Sequence, residues 1–399
     1  MATYDKYKEA FTGIPKPFAF VDLDKLDDNA RAIAKAAGDK KVRLASKSIR
    51  SVDVLRRLLN IDPAFQGIMC YTAGEAAFLA KQGFDDLLLG YPQWEPGAIA
   101  ELITLIQEGR TIVFMVDSIT HVRQIERLAE ERKVHVPIPL CLDLDMSSDY
   151  PGLHFGVWRS PLQSAHQLLP VADYIIRSPW LKLDGLMGYE AQIAGVGDNA
   201  PGNALKNGIV RMLQKRSVRL SARRRGDAVE QLNEALKGET LRFVNAGGTG
   251  SMDSSRLEPW VTEITAGSGF YSPGLFDNYK KFRYKPAAGY AVEVIRRPRA
   301  DIVTCMGGGY TASGPIAADK QVKPYLPEGL KLFSLEGAGE VQTPLLVPPG
   351  LQLEPGDPVF FRHAKAGELC ERFTKLYAVS QGRVVDEYAT YRGMGECFL

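Results

Sequence analysis

Lys47 and two glycine-rich turns are the features of this chain whose residue types and spacing suit chemistry. Lys47 follows the aliphatic run Val42, Leu44 and Ala45, which reads as a short buried strand. Ser51 reads as an N-cap, with Val52, Leu55, Leu58 and Leu59 at helical spacing behind it. A lysine at the carboxyl end of a barrel strand points into the mouth where such folds keep their chemistry. A desolvated amine there, with its pKa lowered, forms a Schiff base with an aldehyde. Alone, Lys47 is an ordinary loop lysine; the turns change its weight. The first is Gly247-Gly248-Thr249-Gly250-Ser251, after a strand from Leu241, and the second is Gly267-Ser268-Gly269. Clustered glycines let backbone N–H groups converge on an anion, and Thr or Ser hydroxyls add donors. Neither turn fits the Walker pattern or a clean G-x-G-x-x-G. Together they predict a phosphate cup near the last strands of a barrel.

The elements that must carry these residues alternate. Strands are predicted over 18–21, 42–45, 67–70, 87–90, 112–116, 138–144, 183–188 and 241–245. Helices are predicted over 26–37, 73–82, 98–108 and 120–132. Eight strand-plus-crossover units read as an α/β fold, a (β/α)8 TIM-like barrel. A doubly wound sheet shows the same alternation, and the glycine turns favour the barrel. A long helix from about 204 to 237 carries Lys215, Arg216, Arg219, Arg223, Arg224 and Arg225. Acids follow and no aromatics interleave, so it reads as a solvated face or an oligomer contact. After Phe282 helical periodicity ends and β-rich runs appear at 290–295, 302–306, 358–362 and 377–379, as in a C-terminal β-rich domain.

A lysine on an early strand and a phosphate cup on late ones are the two attachments pyridoxal phosphate needs. At these residues the chain resembles the fold-type III pyridoxal-phosphate enzymes, with their alanine-racemase-like barrel. Within them it is similar to the D-threonine aldolase and D-serine dehydratase branch, and to bacterial amino acid deaminase/aldolase proteins. The matching segments are 18–24, 42–51, 71–76, 185–192, both glycine turns and 362–369. The resemblance implies a barrel domain over 18–282, and a β-rich domain of 1–17 plus 283–399 that contributes to the active site. It implies a lyase on β-hydroxy D-amino acids, by retro-aldol cleavage or by deamination. Lys47 would carry the cofactor and act as acid and base at the α-carbon. Gly248, Thr249, Gly267, Ser268 and Gly269 match phosphate-binding positions, and Tyr189 matches a cofactor-contacting aromatic. Arg159 is read as a partner for the cofactor or for a substrate carboxylate.

His363 is the sharpest candidate in the tail. In this branch a histidine here binds Mn or Zn with a Cys or Asp two positions later, but that position is Lys365. Cys370 or Glu368 would have to substitute as ligand; otherwise His363 itself is the base for the β-hydroxyl proton. Tyr310, after Gly307-Gly308-Gly309, carries the alternative, an amino acid racemase using Lys47 and Tyr310 as opposed bases. A non-catalytic pyridoxal-phosphate-binding protein is a third reading.

Composition bounds these readings. The 399 residues carry 49 Lys and Arg against 47 Asp and Glu, so no field argues for nucleic acid or an anionic membrane. No apolar run reaches the ~20 residues that span a bilayer, and the first seventeen residues lack a signal peptide's apolar core. Five scattered cysteines without a C-x-x-C pair argue against a disulfide framework. The expectation is a cytoplasmic protein acting on a small-molecule amino acid, and the resemblance implies a homodimer.

Overall fold

The computed structural model describes residues 2–399, which divide into two compact units: 33–47, 59–267 and 398–399, and 2–32, 48–58 and 268–397. The first holds a closed barrel of parallel strands: Lys41–Ala45, Phe65–Cys70, Leu87–Pro92, Ile112–Val116, Ile138–Asp143, Leu181–Gly188, Phe243–Ala246 and Glu263–Ala266. Leu88, Val113, Met115, Cys141, Met187 and Phe243 pack one buried cluster, with Met69 against it. The barrel closes where Glu263–Ala266 pairs with Lys41–Ala45. Across that seam the fully buried Arg43 grips Glu263 with two bonds, Nε to Oε1 at 2.7 Å and Nη2 to Oε2 at 2.8 Å. A bidentate fork matches a carboxylate in geometry as well as charge.

Two strand assignments change. The predicted first strand, now Phe18–Asp22, is not in the barrel but in the β-rich sheet, antiparallel to Ala288–Arg299 and parallel to Lys375–Ser380. All five of its residues are buried, and an apolar run of that length reads alike in either sheet. The missed barrel strand, Glu263–Ala266, begins on a charged residue. Its burial is compensated by Arg43, 220 positions away in the chain.

The second unit holds a nine-stranded sheet. Its main path runs Lys331–Leu332, Gln342–Leu346, Ile302–Met306, Ala288–Arg299, Phe18–Asp22, Lys375–Ser380 and Arg383–Ala389. Pro358–Arg362 pairs with Ala288–Arg299 and with Lys323–Leu326. The helix Ala2–Ala10 lays Tyr4 and Tyr7 on this sheet, and Tyr4, Tyr7, Phe11, Phe18, Phe20 and Phe360 form an aromatic cluster with ring centroids 4.7–6.5 Å apart. Edge-to-face and tilted rings at such spacings add to the apolar area they bury.

The long basic helix spans Ala204–Ala235, and its arginines are not all solvated. Arg225 is fully buried, and Arg224 Nη1 donates to the carbonyls of Asp145 at 2.6 Å and Ser147 at 3.0 Å. The run is charged because part of it ties the barrel loops together. Among the described residues no helix is long and apolar enough to cross a membrane.

Candidate active site

Barrel closure decides which loops meet. Phe243–Ala246, Glu263–Ala266 and Lys41–Ala45 are consecutive neighbours and all parallel, so their carboxyl ends open on one mouth. The glycine turn 247–250 follows the first, Gly267 the second, and Lys47 the third. Lys47 lies in a short helical turn, Ser46–Ser48, pinned where the Ser46 hydroxyl donates to the Met69 carbonyl at 2.8 Å.

The Lys47 ammonium donates to the Tyr91 hydroxyl at 3.1 Å. Arg159 lies over the same ring, its guanidinium carbon 4.9 Å from the centroid, and 5.8 Å from that of Tyr189. Arg159 is itself held, donating to the Gly90 carbonyl at 2.7 Å and lying 3.3 Å from Asp143 Oδ2. Burial works to raise the Tyr91 phenol, but the charges of Lys47 and Arg159 outweigh it and hold the phenol below its ordinary value. For Asp143, burial wins over the nearby Arg159, and its carboxyl is pushed up to about 6. Burial also raises the Tyr189 phenol, against the pull of the Lys47 and Arg159 charges.

Tyr189 joins this group to the glycine turn. A Cβ added to Gly248 would come within 3.0 Å of Ala194 Cβ and 3.2 Å of Tyr189 Cε2, so any larger residue would push the turn or the ring apart by a few tenths of an ångström. Gly247 has φ of +77°, a left-handed conformation that favours glycine. The N–H groups of these two glycines are engaged locally: Gly247 donates to Glu190 Oε2 at 3.2 Å and Gly248 to Ser251 Oγ at 3.1 Å. Gly248 thus contributes close approach rather than its N–H, while Thr249 sits buried in the turn. Ser268 and Gly269, directly after Gly267, open the short helix Ser268–Tyr271, and Ser268 Oγ lies 3.2 Å from Ser48 Oγ.

The β-rich unit contains the tail candidates. His363 is fully buried, 6.2 Å edge-on from the Tyr271 ring. The Ala288 backbone is near, but neither ring nitrogen makes a well-formed hydrogen bond. Burial first, then Arg362, pull its pKa down to about 3, so the ring is neutral at pH 7. Cys370 donates to the Ile49 carbonyl at 3.3 Å, and burial pushes its thiol up to about 12. Lys365 Nζ donates to the Ser313 carbonyl at 3.2 Å and hydroxyl at 3.1 Å. A metal site needs deprotonated donors converging on one point. Here the thiol is turned to the Ile49 carbonyl, and the second position is an ammonium engaged with Ser313. Among the described residues no three His, Cys, Asp or Glu side chains gather to hold an ion. The expected Mn or Zn ligands, His363 and Cys370, do not fit that role. Tyr310 has its hydroxyl buried with no hydrogen bond, and burial together with Glu368 raises its phenol, the reverse of what a base requires.

The sequence reading missed Tyr91 and Asp143 and gave Glu190 no role. Tyr91 and Asp143 both lie at the carboxyl ends of predicted strands, the criterion that singled out Lys47.

A closed parallel barrel with a lysine and glycine turns at three neighbouring strand ends, in a chain that also holds a β-rich unit, defines the class. Residues 21–260 match the alanine racemase N-terminal domain family, and the chain belongs to it. D-threonine aldolase from Filomicrobium marinum is similar in structure, with a TM-score of 0.78 at 16% identity over 95% of this chain and 96% of that one. D-threo-3-hydroxyaspartate dehydratase from Delftia sp. HT23 gives 0.73 at 18%, over 96% and 99%. Alanine racemase from Clostridium difficile 630 gives 0.62 at 13%, over 94% and 99%. At such identities the likeness is one of fold. No curated protein matches the chain by sequence.

Proposed function

We propose that this protein is a pyridoxal-phosphate-dependent lyase acting on β-hydroxy D-amino acids. The observation that carries the reading is the placement of Lys47, the 247–250 turn and Gly267 on three adjacent strand ends of one barrel mouth. An amine for the aldehyde and a glycine cradle for the phosphate fit the cofactor's two ends. The higher TM-scores of the aldolase and the dehydratase, against that of the racemase, support the lyase branch.

Bound pyridoxal phosphate would supply the electron sink for a bond broken at the substrate's α-carbon. The chain's own residues do the rest. Lys47 would hold the cofactor through its amine and would give or take the proton at the substrate's α-carbon. Tyr91 orients the Lys47 amine and is itself kept acidic by its two cationic neighbours. Arg159, clamped by Gly90 and Asp143, presents a fixed positive charge to the cofactor or to the substrate carboxylate. Gly248 and Thr249, with Gly267, Ser268 and Gly269, take the phosphate. His363, held neutral by burial, is the proposed acceptor of the β-hydroxyl proton, and its pKa of about 3 makes it a weak one. No metal step enters, because the donors for one do not fit. The racemase reading is weaker, since burial and Glu368 raise the Tyr310 phenol against the smaller pull of Arg372.

The test is a visible spectrum of the purified protein with pyridoxal phosphate, before and after D-threonine, with acetaldehyde and 2-ketobutyrate assayed together. A cofactor band missing in Lys47→Ala is expected. Acetaldehyde (with glycine) selects cleavage; 2-ketobutyrate (with ammonia) selects deamination. A wild-type protein with no band overturns the reading.

A further inference from the structure

We propose that Glu190, clamped by Arg225, is a positioning residue that shapes the 247–250 turn for the cofactor's phosphate; this rests on the pyridoxal-phosphate reading above. Glu190 lies just beyond the strand Leu181–Gly188 and is 1% exposed. Both its oxygens are engaged. Oε2 accepts from Arg225 Nη2 at 2.8 Å and from the Gly247 N–H at 3.2 Å, and Oε1 accepts from the Ser255 hydroxyl. Arg225 reaches in from the helix Ala204–Ala235, fully buried, and also donates to the Gly188 carbonyl at 3.0 Å and to Glu258. One carboxylate therefore ties the long helix and the end of one strand to the turn after the next strand.

Burying this many charges needs a reason beyond packing, because an apolar cluster of the same volume is often as stable. The geometry supplies one. Fixing the Gly247 N–H sets the plane of the peptide entering the turn. Gly247, at φ of +77°, then aims the chain into Gly248 and Thr249. A bare carboxylate beside a phosphate would repel it, and the Arg225 guanidinium offsets that charge while leaving the carboxylate free to orient backbone. Without the clamp the turn would keep its sequence but lose its direction.

The experiment compares two aldehydes, pyridoxal phosphate and pyridoxal, in wild type, Glu190→Gln and Ser255→Ala, each titrated by the visible absorption of the lysine-bound form. Pyridoxal meets Lys47 in the same way and lacks the phosphate. A hydrogen bond to a charged group is worth enough that Glu190→Gln should weaken pyridoxal phosphate about tenfold or more, with pyridoxal nearly unchanged. Ser255→Ala, which removes one small donor, should give the same selective loss at roughly threefold, and it carries the test alone if Glu190→Gln does not fold. An equal loss for both aldehydes, or no loss for the phosphate, overturns the proposal. A wild type that binds neither aldehyde removes the cofactor reading and this proposal with it, whereas normal wild-type binding with unselective variants removes the proposal alone.

Discussion

Lys47 Nζ lies 3.1 Å from the Tyr91 hydroxyl, and the partner phenol is held below its ordinary value although burial opposes this. Two cations act on it, since Arg159 covers the ring at 4.9 Å. The pair is a ready proton relay beside the proposed cofactor lysine. Tyr91→Phe keeps the ring under Arg159 and removes only the hydroxyl. It should lower kcat about a hundredfold with cofactor affinity held, and erase the alkaline limb of the pH profile. Steady-state kinetics from pH 7 to 10 check this; an unchanged alkaline limb would assign it elsewhere.

Asp143 bears on stability as well as on Arg159. Its carboxyl is raised from 3.8 to about 6, with burial the main cause. The fold therefore favours the protonated form. Its contribution to stability is complete below the unfolded value and is lost as pH climbs through about 6. The full swing is on the order of 3 kcal/mol. Relative to wild type, Asp143→Asn should gain in stability between pH 4 and 7, since it has no charge to bury. Urea melts at the two pH values give the difference; parallel curves for both proteins would refute the assignment.

A chelator should leave the protein's activity within about twofold, a change too small to reflect a lost ligand shell. The reason is geometric: the ammonium of Lys365 is engaged with Ser313, and the Cys370 thiol is turned to the Ile49 carbonyl. Metal analysis of the purified protein, read with the assay after EDTA, decides it. One tightly held equivalent of Mn or Zn whose removal abolishes turnover would falsify this.

Glu263→Gln should destabilise the barrel by roughly 3 kcal/mol, because a buried guanidinium loses its main counter-charge. Arg43 keeps Asp86 at 3.1 Å, so the loss stops short of unfolding. The urea midpoint should fall with an unchanged slope. A Glu263→Gln protein as stable as wild type would mean that Asp86 alone compensates the charge.

Much of the barrel was legible because its strands are short aliphatic runs, buried on both faces and separated by amphipathic helices. Ile112–Val116 in the barrel and Ile302–Met306 in the β-rich sheet fall on their predicted bounds. The errors share a cause. Phe18–Asp22 carries the same apolar signal as a barrel strand, so its sheet is a matter of long-range pairing. Glu263–Ala266 hides its strand character behind a charge that only its partner explains. Arg225 looked like a surface residue in a basic run because its acidic partners, Glu190 and Glu258, are 35 and 33 positions away in the chain.

Residue types and local spacing were enough to single out Lys47, the two glycine turns and His363, since an amine at a strand end and clustered glycines are local patterns. Closure of the barrel did what local pattern could not. It set the first barrel strand beside the last, so that residues about 200 positions apart and more share one mouth. It also chose Tyr91 and Asp143 as neighbours of Lys47 and Arg159. Burial then set their ionisation. A pKa depends on which charges lie within a few ångströms and how much water is excluded, and neither quantity is written in the order of residues along a chain.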